Sequence, residues 1–159
     1  MKTSLSVLVP VYNEQYLVYE SLQRLKVLET SPHLERIEVI VVDDCSTDSS
    51  PQVIEKFKKE TESAHNSKIQ WKFLRHDHNR GNGQAVKTAV ELATCEICVI
   101  HDADLEYHAK DLLRIVGVFV EEQADAVYGS RFAGGESRRI LLYRHELGNR
   151  LLSHFFRIG

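Results

Sequence analysis

Asp102, Asp104 and Glu106 stand at alternate positions directly after the apolar run Ile97 to Ile100, within the stretch VIHDADLEYH. In an extended segment, period two would bring the three carboxylates to one face. At spacings near ~6 Å and an effective dielectric of about 20, each adjacent pair would repel by roughly 3 kcal/mol. A divalent cation reverses that sign, and acidic oxygens suit Mg²⁺ or Mn²⁺. Mg²⁺ typically binds one or two carboxylates plus substrate phosphates, so the acids also imply a phosphorylated substrate. The competing reading is a solvated loop in which Asp104 caps the next helix.

Other polar groups invite similar questions. In VVDDCSTDSS, Asp43 could accept hydrogen bonds from a nucleobase imide or a ribose, or the cluster could be a turn whose Ser46, Thr47 and Asp48 bond local backbone. NRGNGQAV places Arg80, Gly81 and Gly83 ahead of a helical run, where free amides could receive an anion. Arg131, in YGSR, is a planar fork suited to diphosphate, with Arg138, Arg139, Arg144 and Arg150 nearby in sequence. His145, among these arginines, is a weaker phosphate-binding candidate. His76 and His78 flank Asp77 in an expected solvated turn, and His101 reads as a core residue on the opposite sheet face from the acids.

The elements that must position these groups alternate along the chain. SLSVLVPV, IEVIVVDD, IQWKFLR, EICVIHDAD and DAVYGSR read as five strands. Helices are expected over Gln15 to Leu28, from Pro51 with Ser50 as N-cap, over Gly83 to Ala93, and over Asp111 to Glu122. Loops are expected at Ser31 to Glu35, Ser63 to Lys68, Arg75 to Asn82 and Ala133 to Ile140. Such βαβ alternation with continuous apolar strands implies an α/β, Rossmann-like, mostly parallel sheet with helices on both faces. Its ligand crevice lies beyond the carboxyl ends of the strands, which is where the unusual polar residues fall.

Composition sets the limits. The 159 residues, 43% hydrophobic and 27% charged, suit one domain over 1–159, and a net charge of -3 disfavours a general nucleic-acid binder. Cys45, Cys95 and Cys98 are too few for a disulfide framework; the CxxC pair is expected to be buried small hydrophobes. No apolar run reaches the ~20 residues of a bilayer span, and no signal peptide is evident. A soluble, cytoplasmic chain is the expectation, with peripheral association at the cytoplasmic membrane face in a longer form.

SVLVPVYNE, VIVVDDCSTDSS, NRGNGQAV, HDADLEY, AVYGSRF and RHELGNRLLS, taken in order, resemble the family 2 glycosyltransferases of GT-A fold. The resemblance is greatest to the dolichyl-phosphate mannose synthase and polyprenyl-phosphate glycosyltransferase branch. It implies that Pro10, Tyr12 and Glu14 line a nucleotide pocket, that Asp43 or Asp44 reads the base, and that Arg80, Gly83 and Ala103 belong to the donor-contacting set. Asp102 and Asp104 match the metal motif, with Glu106 as a third ligand. Arg131 and Asp104 carry the catalytic roles. The family often has Gly where Cys45 stands, Lys where Asn82 stands, and Gly-Asp where Cys95-Glu96 stand. It also continues beyond Gly159, so the chain reads as C-terminally truncated, lacking an acceptor-side segment.

The implied reaction is a metal-dependent, inverting transfer of a sugar from a nucleoside diphosphate sugar, UDP-glucose or GDP-mannose, to a polyprenyl or dolichyl phosphate. An ionised phosphate acceptor needs no protein base, whereas a saccharide hydroxyl does. Transfer to such a hydroxyl, or nucleotide-sugar binding without transfer, are the alternatives. A phospho-acceptor receiver domain is excluded, because it needs its acid pair on the first strand and this chain has its pair after the second.

Overall fold

The computed structural model describes residues 2–62 and 67–127. Strand β1 (Thr3–Val11) leads to helix α1 (Val18–Leu25) and a 3₁₀ turn (Lys26–Thr30), followed by β2 (Leu34–Asp43) and α2 (Ser50–Glu62). Then come β3 (Ile69–Arg75), α3 (Asn82–Leu92), β4 (Ile97–Ile100) and α4 (Ala109–Glu121). The sheet has the order β3-β2-β1-β4, with every pairing parallel. The expected fifth strand is not formed at Asp125–Val127, and the rest of DAVYGSR lies outside the described residues.

Alternation along the strands divides the core. Val7, Val9, Val11, Val39 and Val41 face one side, where they pack with Val18, Leu22 and Leu25 of α1, Ile54 and Phe57 of α2, and Leu112 and Val116 of α4. Leu8, Ile40 and Val42 face the other and meet Ala85 and Ala89 of α3. Small residues on α3 let that helix lie close to the sheet. Helices thus cover both faces, as the apolar strand runs imply. Glu38 is fully buried on the α3 side. It accepts hydrogen bonds from Ser6, from the Thr94 amide and hydroxyl, and from Lys72 Nζ at 2.6 Å.

Three element boundaries differ from expectation. Helix α1 starts at Val18 because the Gln15 amide donates to Asp48 Oδ2 at 3.1 Å and its side chain accepts the Ser49 amide at 3.0 Å. Helix α2 is capped by Asp48, whose Oδ1 takes the Ser50 amide at 2.8 Å, which leaves the Ser50 hydroxyl to accept the Glu14 amide at 2.7 Å. Strand β4 ends at Ile100, four residues before Asp104. It forms an edge among the described strands, so Cys98 is exposed and Cys95 half-buried; the expected burial of the CxxC pair is corrected.

Candidate functional site

The carboxyl ends of the strands are drawn together by one further backbone rung each. Asp44 N donates to Val11 O at 2.8 Å, His76 N to Asp43 O at 2.9 Å, and His101 N to Leu8 O at 2.9 Å. Pro10 lies just past the last β1–β4 pair, Leu8 with Ile100, so its missing amide falls where β4 has already left the sheet. Beyond this edge lie the loops that follow each strand.

The loops after β1 and β2 are interlocked by side chains. Asn13, at φ 57°, accepts on Oδ1 the Thr47 amide at 2.9 Å and hydroxyl at 3.3 Å, while its own amide donates to Ser46 Oγ at 3.0 Å. Asn tolerates this left-handed conformation better than most residues. Cys45 adopts φ 59°, a conformation for which Gly is the unstrained residue. Tyr12, immediately before Asn13, is 46% exposed, whereas Pro10 is buried within β1. Ser46, Thr47 and Asp48 therefore do form a turn, but one built against the neighbouring loop.

The two acids of VVDD have different surroundings. Asp43 accepts the Ser46 amide on Oδ1 at 3.0 Å; its buried Oδ2 has no hydrogen bond, although Arg75 Nε stands 3.0 Å away at ion-pair distance. Asp44 lies toward α3. Its Oδ1 faces His76 Nδ1 at 2.6 Å and accepts the Arg80 amide at 2.9 Å, and Oδ2 accepts the Gly81 amide at 2.7 Å. Burial alone would raise its pKa, but the hydrogen bonds from His76, Arg80 and Gly81 outweigh it and hold the carboxyl below its ordinary value.

This geometry changes the reading of NRGNG. The amides of Arg80 and Gly81 are committed to Asp44, so they are not available as an anion cradle. The Arg80 guanidinium pairs with Asp77 at 2.7 Å, and Gly83 sits in the exposed first turn of α3. His76 is no solvated turn residue: it is buried, and its Nε2 lies 3.0 Å from Thr88 Oγ1. The pattern of a His between two polar residues gave no signal of that burial, which depends on Asp44 and α3.

The acids after β4 are also rearranged. With β4 over at Ile100, residues 103–104 turn and Leu105 takes φ 63°, which breaks the alternation. Asp104 Oδ1 accepts the Glu106 amide at 2.9 Å, an Asx turn. Among the described residues no three His, Cys, Asp or Glu side chains are grouped to hold a metal ion, and the extended geometry expected to bring Asp102, Asp104 and Glu106 to one face is broken at Leu105. Ala103 packs its methyl into the core, and a donor could meet only its main chain. His101 is buried as expected, with Nε2 3.4 Å from Ser21 Oγ; burial lowers its pKa against the opposing field of Asp104.

The Glu14 carboxyl is raised above its ordinary value by burial and then by the fields of Asp104, Asp48 and Asp102. Acids from the loops after β1, β2 and β4 thus act on one another electrostatically; both Asp48 oxygens are committed to the Gln15 and Ser50 amides, and Asp102 with Asp104 is a carboxylate pair of the kind that binds a divalent cation together with substrate phosphates. Arg131, with Arg138, Arg139, Arg144, His145 and Arg150, lies outside the described residues.

The site class that such an open parallel α/β sheet defines is a ligand crevice beyond the carboxyl ends of its strands, where these acids and amide-bound carboxylates fall. The Glycosyl transferase family 2 model matches residues 6–158, and the chain belongs to that family. It is 31% identical over 136 residues to poly(ribitol-phosphate) beta-N-acetylglucosaminyltransferase TarS of Staphylococcus aureus, covering 85% of this chain and 22% of that protein. It is 30% identical over 115 residues to dolichyl-phosphate beta-glucosyltransferase of Dictyostelium discoideum, covering 70% and 34%. The solved mannosyltransferase PcManGT from Pyrobaculum calidifontis, in complex with GDP-Man and Mn²⁺, superposes with a TM-score of 0.61 at 30% identity, covering 75% of this chain and 33% of that one. The fold is GT-A. The chain spans a third or less of the length of PcManGT and TarS, and 34% of the Dictyostelium protein. No helix among the described residues is long and apolar enough to cross a membrane.

Proposed function

We propose that this chain carries the donor-binding part of a metal-assisted glycosyltransferase that moves a hexose from a nucleoside diphosphate sugar to a polyprenyl phosphate. The observation that carries this reading is the placement of Tyr12, Glu14, Asp43, Asp44, Asp102 and Asp104 at or just beyond the carboxyl ends of β1, β2 and β4 in a chain of the family 2 glycosyltransferases. Tyr12 offers its ring to the base, and Asp43 or Asp44 accepts a base or ribose donor. Asp102 and Asp104 would hold Mg²⁺ or Mn²⁺. When bound, the cation neutralises charge that develops on the leaving diphosphate. Arg131 adds a fixed positive fork to the same phosphates, favouring the transition state over the ground state.

A phosphate acceptor is already ionised, so direct displacement with inversion needs no protein base. The similarity to a dolichyl-phosphate enzyme supports this acceptor class. The similarity to TarS, over more of the chain, favours a second reading in which the acceptor is a hydroxyl. Titration calorimetry with UDP-glucose, GDP-mannose and UDP-N-acetylglucosamine, with and without Mn²⁺, tests the donor. Tight binding of one of them that weakens in Asp104→Ala is expected. Equal affinity with and without the metal, or none for any nucleotide sugar, sinks the proposal; product formed on a short polyprenyl phosphate separates the two acceptors.

A further inference from the structure

We propose that His76 is a positioning residue of the donor site, holding Asp44 so that its one uncommitted acceptor position meets the nucleotide. The inference rests on the donor reading above and extends it to a residue that makes no contact with the ligand itself. An ionised carboxylate offers about four acceptor positions. On Asp44 three are taken, by His76 and the Arg80 amide on Oδ1 and by the Gly81 amide on Oδ2. On the proposed reading the fourth, on Oδ2, is the position that the nucleotide takes up when it binds.

His76 is placed to fix that geometry and little else. Asp44 accepts, so Nδ1 carries the proton toward it, and Nε2 takes the Thr88 hydroxyl at 3.0 Å. Thr88 belongs to α3, so the ring joins the end of β2 to the helix that covers this face. Its main chain is held too, through the amide rung to Asp43 O. Both Asp44 and His76 are buried. Without the ring, the Asp44 carboxylate keeps only the Arg80 and Gly81 amides among these three donors, and its orientation is less fully fixed. This arrangement resembles the support that metal-bound or catalytic side chains receive from a neighbouring histidine or carboxylate.

The test uses the full chain with the nucleoside diphosphate it binds, in calorimetry and steady-state kinetics. His76→Leu is expected to weaken nucleotide binding and raise donor KM by about tenfold, with kcat at saturating donor changed by less than about threefold. His76→Asn, whose amide nitrogen can replace Nδ1, is expected to restore Kd to within about threefold of wild type. In Asp44→Asn, adding His76→Leu should cost nothing further, because the histidine acts through that carboxylate. A folded His76→Leu variant with unchanged Kd, or effects that add independently with Asp44→Asn, overturns the inference. Should His76→Leu fail to fold by circular dichroism, Thr88→Val takes its place: a weaker Kd restored by Thr88→Ser supports the chain of contacts, and an unchanged Kd overturns it. A wild-type chain that binds no nucleotide removes the donor reading as well, whereas binding that ignores all these variants removes this inference alone.

Discussion

Asn13 Oδ1 lies 2.9 Å from the Thr47 amide, and this bond joins two loops that no strand pairing connects. Replacing Asn13 by Ala removes the acceptor and leaves a Cβ residue at φ 57°, which should cost about 2–3 kcal/mol. Asn13→Gly keeps the backbone relaxed and should lose roughly 1 kcal/mol less than Ala. Urea denaturation of the two variants measures the difference, and equal midpoints would show that the backbone conformation does not depend on this residue.

Cys45 makes the opposite prediction. It holds φ 59° with only a 3.7 Å thiol contact to Asp77 O in return. Cys45→Gly should stabilise the chain by about 1 kcal/mol, while Cys45→Ala should be near neutral or slightly harmful. Thermal melting of the pair reads the sign directly.

Buried Glu38 and half-buried Lys72 form a pair whose loss should be felt across the sheet. Burial opposes the charge on Glu38, but hydrogen bonds from Lys72, Ser6 and Thr94 prevail and hold its pKa at about 2, below the ordinary 4.5. A depressed folded-state pKa stabilises the fold above the unfolded value, and that share is lost as pH falls from about 4.5 to about 2. Glu38→Gln should cost about 3 kcal/mol at neutral pH, because Lys72 Nζ loses its carboxylate and keeps the Leu92 carbonyl at 3.0 Å. It should also flatten the acid limb of a stability-against-pH curve in that window, and an unchanged limb would assign it to other carboxylates.

The broken alternation after β4 separates two acids that the sequence places on equal terms. Asp104→Asn should abolish the gain in nucleotide affinity on adding Mn²⁺, whereas Glu106→Gln should retain most of it, within about threefold. Calorimetry of both variants, run with and without the ion, decides the matter. Equal losses would restore Glu106 to the ligand set.

The architecture was readable because its signals are local. Continuous runs such as VIVV can only be satisfied by burial on two faces, and the acids mark strand ends whatever the residues between them do. What failed were distinctions that depend on a neighbour distant in sequence. Asp43 and Asp44 look alike until β3 supplies Arg75 to one and His76 to the other. His76 looked solvated because its partners, Asp44 and Thr88, come from β2's end and α3. The Glu106 expectation assumed an extended chain, and the positive φ of Leu105 is invisible in a Leu side chain.

The position of β1 between β2 and β4 has a consequence for how the chain acquires its shape. Leu5 pairs with Ile37 on one side and with Ile97 on the other, so the centre of the sheet closes only through long connections, and among the described residues no hairpin exists to nucleate it. During synthesis, β1 must wait for most of the described residues to leave the ribosome before its second neighbour arrives. The crevice beside Pro10 is therefore among the last features to assemble, and a chain halted before Ile97 would expose one edge of a strand that is buried along its whole length.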